Sequence, residues 1–122
     1  MNEMLILEAR GFSKWVTRNR LRKAVNALIE EMKIAPDVGD VIPKGSGLRK
    51  VRMAGQGRGK SGGFRVIYLL CVNREVAVLI HGYSKSVQED LTPSQLQSLV
   101  ADIPTVEAIA LLAHQQAYGE NK

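Results

Sequence analysis

Several things are scarce in this sequence, and each scarcity narrows what the chain can be. It holds one cysteine, so no internal disulfide can form, which suits a reducing compartment. Cys71 lies inside an apolar run and reads as a buried core thiol. Phe, Trp and Tyr together make up 5% of the residues, few for a protein that reads bases by stacking rings on them. The longest apolar run, Val66 to Val72, is too short to cross a bilayer. The opening apolar stretch, Met4 to Leu7, is too short for a signal peptide and follows an acid, Glu3. A soluble, cytoplasmic protein with no membrane partner is therefore expected. No Cys and His spacing resembles a metal site, and neither metal nor cofactor is expected.

The most informative absence is of negative charge. Between Lys44 and Arg65 stand Lys44, Arg49, Lys50, Arg52, Arg58, Lys60 and Arg65 with no acid among them. From Ser86 onward the balance reverses, with Glu89, Asp90, Asp102, Glu107 and Glu120 against Lys122 alone. A solvated basic face is the ordinary explanation of such a run, but solvated faces usually mix signs. With a formal net charge of +5, the pattern predicts that one end holds a polyanion while the other stays neutral to it.

A chain of 122 residues is expected to form one domain, residues 1–122, with a single core. Met4 to Leu7 reads as a strand. Ser13 reads as the cap of a helix beginning at Lys14 and Trp15. Leu21, Val25, Leu28, Ile29 and Met32 recur at helical spacing, and periodicity leaves open whether residues 13–34 form one helix or two. Trp15 reads as an anchor between helix and sheet. Gly47 to Met53 reads as a strand in which Lys50 and Arg52 alternate with Val51 and Met53. Phe64 to Val72 and Glu75 to Tyr83 read as a β-hairpin turning on Asn73-Arg74. Thr92-Pro93-Ser94-Gln95 is a capping box that opens a helix. Pro104 reads as the start of a new helical segment running to the C-terminus, which places His114 on the surface. The order β-α(α)-β-β-β-α predicts an α+β fold, a small antiparallel-rich sheet with helices on one face and the other face free for a partner.

Residues 54–61, AGQGRGKS, formally fit a phosphate-cradling loop with alanine at its first position. That chemistry needs a strand before the loop and a helix after it, whose first amides hold the phosphates. Here a strand follows, so nucleotide hydrolysis is not the expectation. What remains is a glycine-rich basic loop suited to gripping a phosphate backbone without reading bases. Arg58, between two glycines, and Lys60, after one, are expected to grip that backbone rather than to hold a reacting atom.

Three stretches, EARGFSKWV, GLRKVRMAGQGRGKSGGFRVIY and HGYSKSVQEDLT, resemble the RelE/HigB family of toxin–antitoxin ribonucleases, in particular its HigB-like branch with a glycine-rich insertion. The resemblance covers about residues 3–100, and the segment 104–122 is a helical extension beyond it. It implies a RelE/ParE-like fold and a toxin that enters the ribosomal A site and cuts messenger RNA there. The attacking group would be a ribose 2′-hydroxyl, so no metal would be needed. It also implies a cognate antitoxin, HigA-like and DNA-binding, as partner. Such a reaction needs a base for the 2′-hydroxyl, positive charge for the phosphorane and an acid for the leaving oxygen.

Carried over residue by residue, the family's basic pair falls on Lys50 and Arg52, its strand arginine on Arg65, and its terminal cluster on Tyr83 and Lys85. Arg65 offers a planar fork to phosphate oxygens and is expected to stabilise the transition-state charge. Arg49 joins Arg58 and Lys60 as an expected RNA contact. His81 shares strand parity with Tyr83 and Lys85 and is a further catalytic candidate, although a lone histidine near a strand end is more often structural. Tyr68, on the opposite parity from Arg65, is expected to pack. Relatives that draw a carboxylate base from the sequence before the arginine strand are not matched, because no acid lies between Asp40 and Glu75. The base is left among lysine, tyrosine, His81 and groups of the ribosome. Two other readings stay open: a ParE-like toxin that inhibits a topoisomerase, and a non-catalytic RNA- or ribosome-binding module.

Overall fold

The computed structural model describes residues 3–55 and 63–119. Strand β1 (Leu5–Glu8) leads into α1 (Arg10–Arg18) and α2 (Arg22–Ile34). Strands β2 (Asp40–Val41), β3 (Arg49–Met53), β4 (Phe64–Cys71) and β5 (Val76–Ser84) follow, then α3 (Pro93–His114) and a π-type turn, Gln115–Gly119. The strands form one sheet in the order β1-β5-β4-β3-β2. Among the described residues only β1 pairs parallel, with β5, and the other pairings are antiparallel. The α+β class is as expected, and the two-residue β2 is an addition to it.

The helical hairpin divides where periodicity could not say. Arg20 adopts a left-handed φ of 56°, which ends the α1 path before Leu21 opens the next helix. Phe12 and Val16 of α1 and Leu21, Val25, Leu28 and Met32 bury one stripe against Val51, Met53, Val66, Tyr68, Ala77 and Leu79 of the sheet. Trp15 anchors helix to sheet as expected, its ring 5.8 Å from that of Phe64 in an edge-on arrangement. Ser13 is not the cap. The helix starts four residues earlier than expected, at Arg10 after an extended Ala9, and Ser13 Oγ donates to Glu8 Oε1 at 2.7 Å.

Glu8 is also gripped by both ends of the Arg22 guanidinium, at 2.7 and 2.9 Å. The Arg22 hydrogen bond holds the Glu8 carboxyl below its ordinary range, against the opposing pull of burial. A lowered folded-state value means that this contribution is present above the unfolded value, near pH 4.3, and disappears as pH falls through the folded one. Arg22 is half exposed, so the pair is worth about 1 kcal/mol at most. Thermal melts of Glu8→Gln should therefore lie slightly below wild type at neutral pH and converge with it in acid. Equal melts at pH 7 would remove Glu8 from the stability account.

The hairpin between β4 and β5 departs from its expected two-residue turn. Val72, Asn73 and Arg74 all take positive φ, and Glu75 N–H returns to the Val72 carbonyl at 3.0 Å. A register shift follows: Ile67 faces His81 while Tyr68 faces Leu79, so Ile80 is the extra residue of a bulge. Beyond it, Gly82 turns toward Trp15, which leaves His81 and Tyr83 on the other face of the sheet.

That other face is not free, contrary to the sequence-based expectation. Leu96, Leu99, Val100 and Ile103 of α3 pack over Leu48, Ile67, Leu69 and Tyr83. Pro104 does not start a new segment either, because α3 runs through it to His114. Pro104 is on the solvent side, where water can take the Val100 carbonyl that proline leaves without a donor. The capping box at Thr92 and Gln95 forms as expected. Pro93–Gly119 is by length and composition long enough and apolar enough to cross a membrane, with a mean hydropathy of 1.5, although no uninterrupted apolar run marks it in the sequence. In this fold one side of that helix covers the sheet, while Ile109, Leu111 and Leu112 are exposed. His114 is not a loose surface residue: its Nε2 lies 2.6 Å from Glu75 Oε1 at the hairpin turn.

Candidate active site

The alternation of β3 decides which cations meet. Val51 and Met53 are buried under α1 and α2, so Lys50 and Arg52 take the opposite face. Across the ladder Arg52 pairs with Arg65, and Arg65 pairs with Tyr83. Three strands thus align a guanidinium, a second guanidinium and a phenol in one row. The next row is Lys50, Ile67 and His81. A groove of about 360 Å³ opens here, lined by Lys50, Arg52, Arg65 and Lys85 together with Asp40, Glu89 and Asp90.

Arg65 lies at the floor of the groove with 7% of its surface exposed. Its Nη1 donates to its neighbour's carbonyl, Phe64 O, at 3.2 Å, and among the described residues it has no carboxylate partner. Arg52 is exposed above it. Tyr83 is 5% exposed, and its hydroxyl reaches Asp90 Oδ1 at 3.4 Å. Burial first, and then the Asp90 charge, push the Tyr83 phenol up to about 12, so it is protonated at neutral pH. Lys50 Nζ pairs with the same Asp90 oxygen at 3.1 Å. Desolvation pulls the Asp90 carboxyl up, but the Lys50 ammonium, the Leu91 N–H and the Tyr83 hydroxyl together hold it below its ordinary range. Lys85 follows β5, where its N–H extends the ladder to Gly63 O, and its ammonium meets Glu89 at 3.8 Å.

Two candidates stand apart. His81 is one row away and does not line the groove, although its ring centroid is 6.2 Å from that of Tyr83. Among the described residues its buried Nε2 has no hydrogen-bond partner, and desolvation holds its pKa below the ordinary value, so the ring is neutral at pH 7. Arg49 points away from the groove and donates to the Gly39 carbonyl at 2.7 Å and the Asp37 carbonyl at 3.4 Å. Arg58 and Lys60 lie outside the described residues. Tyr68, as expected, is a packing residue: its hydroxyl accepts Gly39 N–H and donates to Pro36 O. Among the described residues no three His, Cys, Asp or Glu side chains gather as metal ligands.

The acids are what sequence reasoning missed. The C-terminal acidic half does not form a separate neutral end, because Glu89 and Asp90 line the same groove as the cations, joined by Asp40 opposite Lys50. One signal was available. A helix that opens at Thr92, so soon after β5 ends at Ser84, must carry its lead-in back past the end of that strand.

The fold agrees with the relatives that comparison finds. A family model described as the RelE toxin of the RelE/RelB toxin–antitoxin system matches residues 4–113. A solved structure of a mutant E. coli toxin RelE in the free state superposes with a TM-score of 0.57 at 12% identity, covering 84% of this chain and 98% of that one. At that identity the structural likeness speaks for the fold alone. The family match spans nearly the whole described sheet and α3, and on it the chain belongs to the RelE family of toxins from toxin–antitoxin systems.

Proposed function

We propose that this toxin is a cytoplasmic endoribonuclease that cuts messenger RNA in the ribosomal A site and so inhibits translation. The observation that carries the reading is the row Arg52–Arg65–Tyr83 flanked by Lys50 and Lys85 around one groove. Cleavage by a neighbouring 2′-hydroxyl needs concentrated positive charge where the phosphorane forms. Arg65 and Arg52 offer two guanidinium forks to its oxygens. Lys50 and Lys85 hold the flanking backbone, and Tyr83, kept protonated, can give a hydrogen bond to a reacting oxygen. No step in this scheme draws on a metal. Arg58 and Lys60 would add affinity along the backbone.

Purified toxin mixed with translating ribosomes and a defined message should produce new RNA ends within codons in the A site. A supercoiling assay beside it tests the ParE-like alternative. Inhibited supercoiling without RNA ends would replace this reading, and binding without either would make the protein a non-catalytic module. The antitoxin partner that goes with the family is proposed to be HigA-like and DNA-binding. Coexpression of a neighbouring small reading frame should then restore growth and co-purify with the toxin.

A further inference from the structure

A site for a polyanion gains nothing in affinity from a carboxylate set against its ammonium group. Yet Asp90 Oδ1 accepts from Lys50 Nζ at 3.1 Å, from the Tyr83 hydroxyl at 3.4 Å and from Leu91 N–H at 2.9 Å. The residue is also braced from behind. Gln88 Nε2 donates to the Asp90 carbonyl at 2.8 Å and to Gln95 Oε1 at 2.9 Å. Gln95 in turn closes the capping box, accepting Thr92 N–H and donating its own N–H to Thr92 Oγ1. Asp90 is therefore a fixed extension of the α3 N-terminus that touches two candidate groups with one oxygen.

We propose that Asp90 is the positioning residue of this groove: braced by the α3 capping box, it holds the Lys50 ammonium and the Tyr83 hydroxyl where they meet an RNA phosphate. The proposal rests on the RNA-cleaving reading above. Lysine carries its charge on a long flexible stem, and an anchored carboxylate narrows the space that the ammonium samples before substrate arrives. For the phenol, the same oxygen fixes the direction of the O–H bond. Reacting groups lose rate steeply when misplaced by an ångström, so such anchoring outweighs the affinity lost to repulsion between carboxylate and RNA.

That trade gives a signature no structural role shares. In Asp90→Asn the amide oxygen still accepts Leu91 N–H, so the cap and the fold should survive, as a thermal melt will show, but without its charge it no longer tethers the Lys50 ammonium and holds the Tyr83 hydroxyl less firmly. With one negative charge gone, RNA should bind a few-fold more tightly, while cleavage at saturating RNA falls by about tenfold to a hundredfold. In a Lys50→Met/Tyr83→Phe background nothing remains to be positioned, and adding Asp90→Asn should cost no further rate. A readout without RNA is the phenolate absorbance. Besides Asp90, Tyr83 is faced by Arg65 from β4 and by the His81 ring on its own strand, with Lys50 of β3 reaching it through Asp90. Removing Asp90 should move the Tyr83 ionisation to lower pH, and Tyr83→Phe identifies its share of the signal from the three tyrosines.

If wild-type toxin cuts RNA and folded Asp90→Asn cuts equally fast at saturation, the proposal is wrong. It is equally wrong if the loss persists undiminished in the Lys50→Met/Tyr83→Phe background, or if the phenol titration does not move. If wild-type toxin fails to cut RNA, the cleavage reading fails, and the positioning role falls with it.

Discussion

Replacing Arg65 by lysine is expected to slow RNA cleavage at saturating substrate by about a hundredfold or more, and alanine should do at least as much damage. The strand around it is apolar or aromatic, and the guanidinium sits at the floor of the groove with 7% exposure. Burying a cation there without a carboxylate partner is unfavourable for folding. Among the described residues its hydrogen bond to the Phe64 carbonyl offsets only part of that. A group kept at such a cost, with Arg52 on one side and Tyr83 on the other, is preorganised for an anion that arrives later.

Lysine keeps the charge but loses the two-pronged geometry, so it separates charge from shape. The two variants should melt near the wild-type temperature, because neither breaks an ion pair with a described residue. Single-turnover cleavage on programmed ribosomes, growth arrest and thermal melts together check this. Folded variants that cut at near wild-type rates would make Arg65 structural and move the active site elsewhere.

Legibility in the sequence followed the range of the interaction. Period-two alternation in RKVRM correctly sent Lys50 and Arg52 to one face, and the same rule separated Arg65 from Tyr68. The capping box at Thr92 was readable because its two partners are three residues apart. Expectations failed where distant segments decided the outcome. Pro104 looks like a helix break locally, but α3 has an apolar face to bury over Ile67 and Leu69 and continues through it. Charge blocks suggested two electrostatic ends, whereas the return of the chain after β5 folds Glu89 and Asp90 onto the cations. The bulge at Ile80 leaves no mark in a run of β-formers, and the Glu75–His114 contact spans 39 residues. Arg49 illustrates the same limit: it belongs to the basic run, but its strand parity and the nearby Gly39 and Asp37 carbonyls claim it.

The largest expected loss of stability lies at a glycine beside the groove. Gly82 stands between His81 and Tyr83, opposite Val66, and its backbone is covered by the six-membered ring of Trp15. A Cβ added there would fall inside the van der Waals surface of that ring. The indole cannot swing aside cheaply, since Phe12 and Phe64 hold it at centroid distances of 5.7 and 5.8 Å. Gly82→Ala must therefore displace either the ring or the end of β5, and overpacking of this kind costs about 1–3 kcal/mol. Thermal melts should fall by several degrees. Because β5 also carries Tyr83 toward Asp90, cleavage should weaken even at temperatures where the variant is folded. The cause can be isolated with Trp15→Ala, which is itself destabilising but empties the space that the new methyl needs. In that background Gly82→Ala should cost much less than it does alone, a coupling that only direct contact produces. Equal costs in both backgrounds, or a Gly82→Ala protein that melts like wild type, would show that Trp15 does not fix the end of β5.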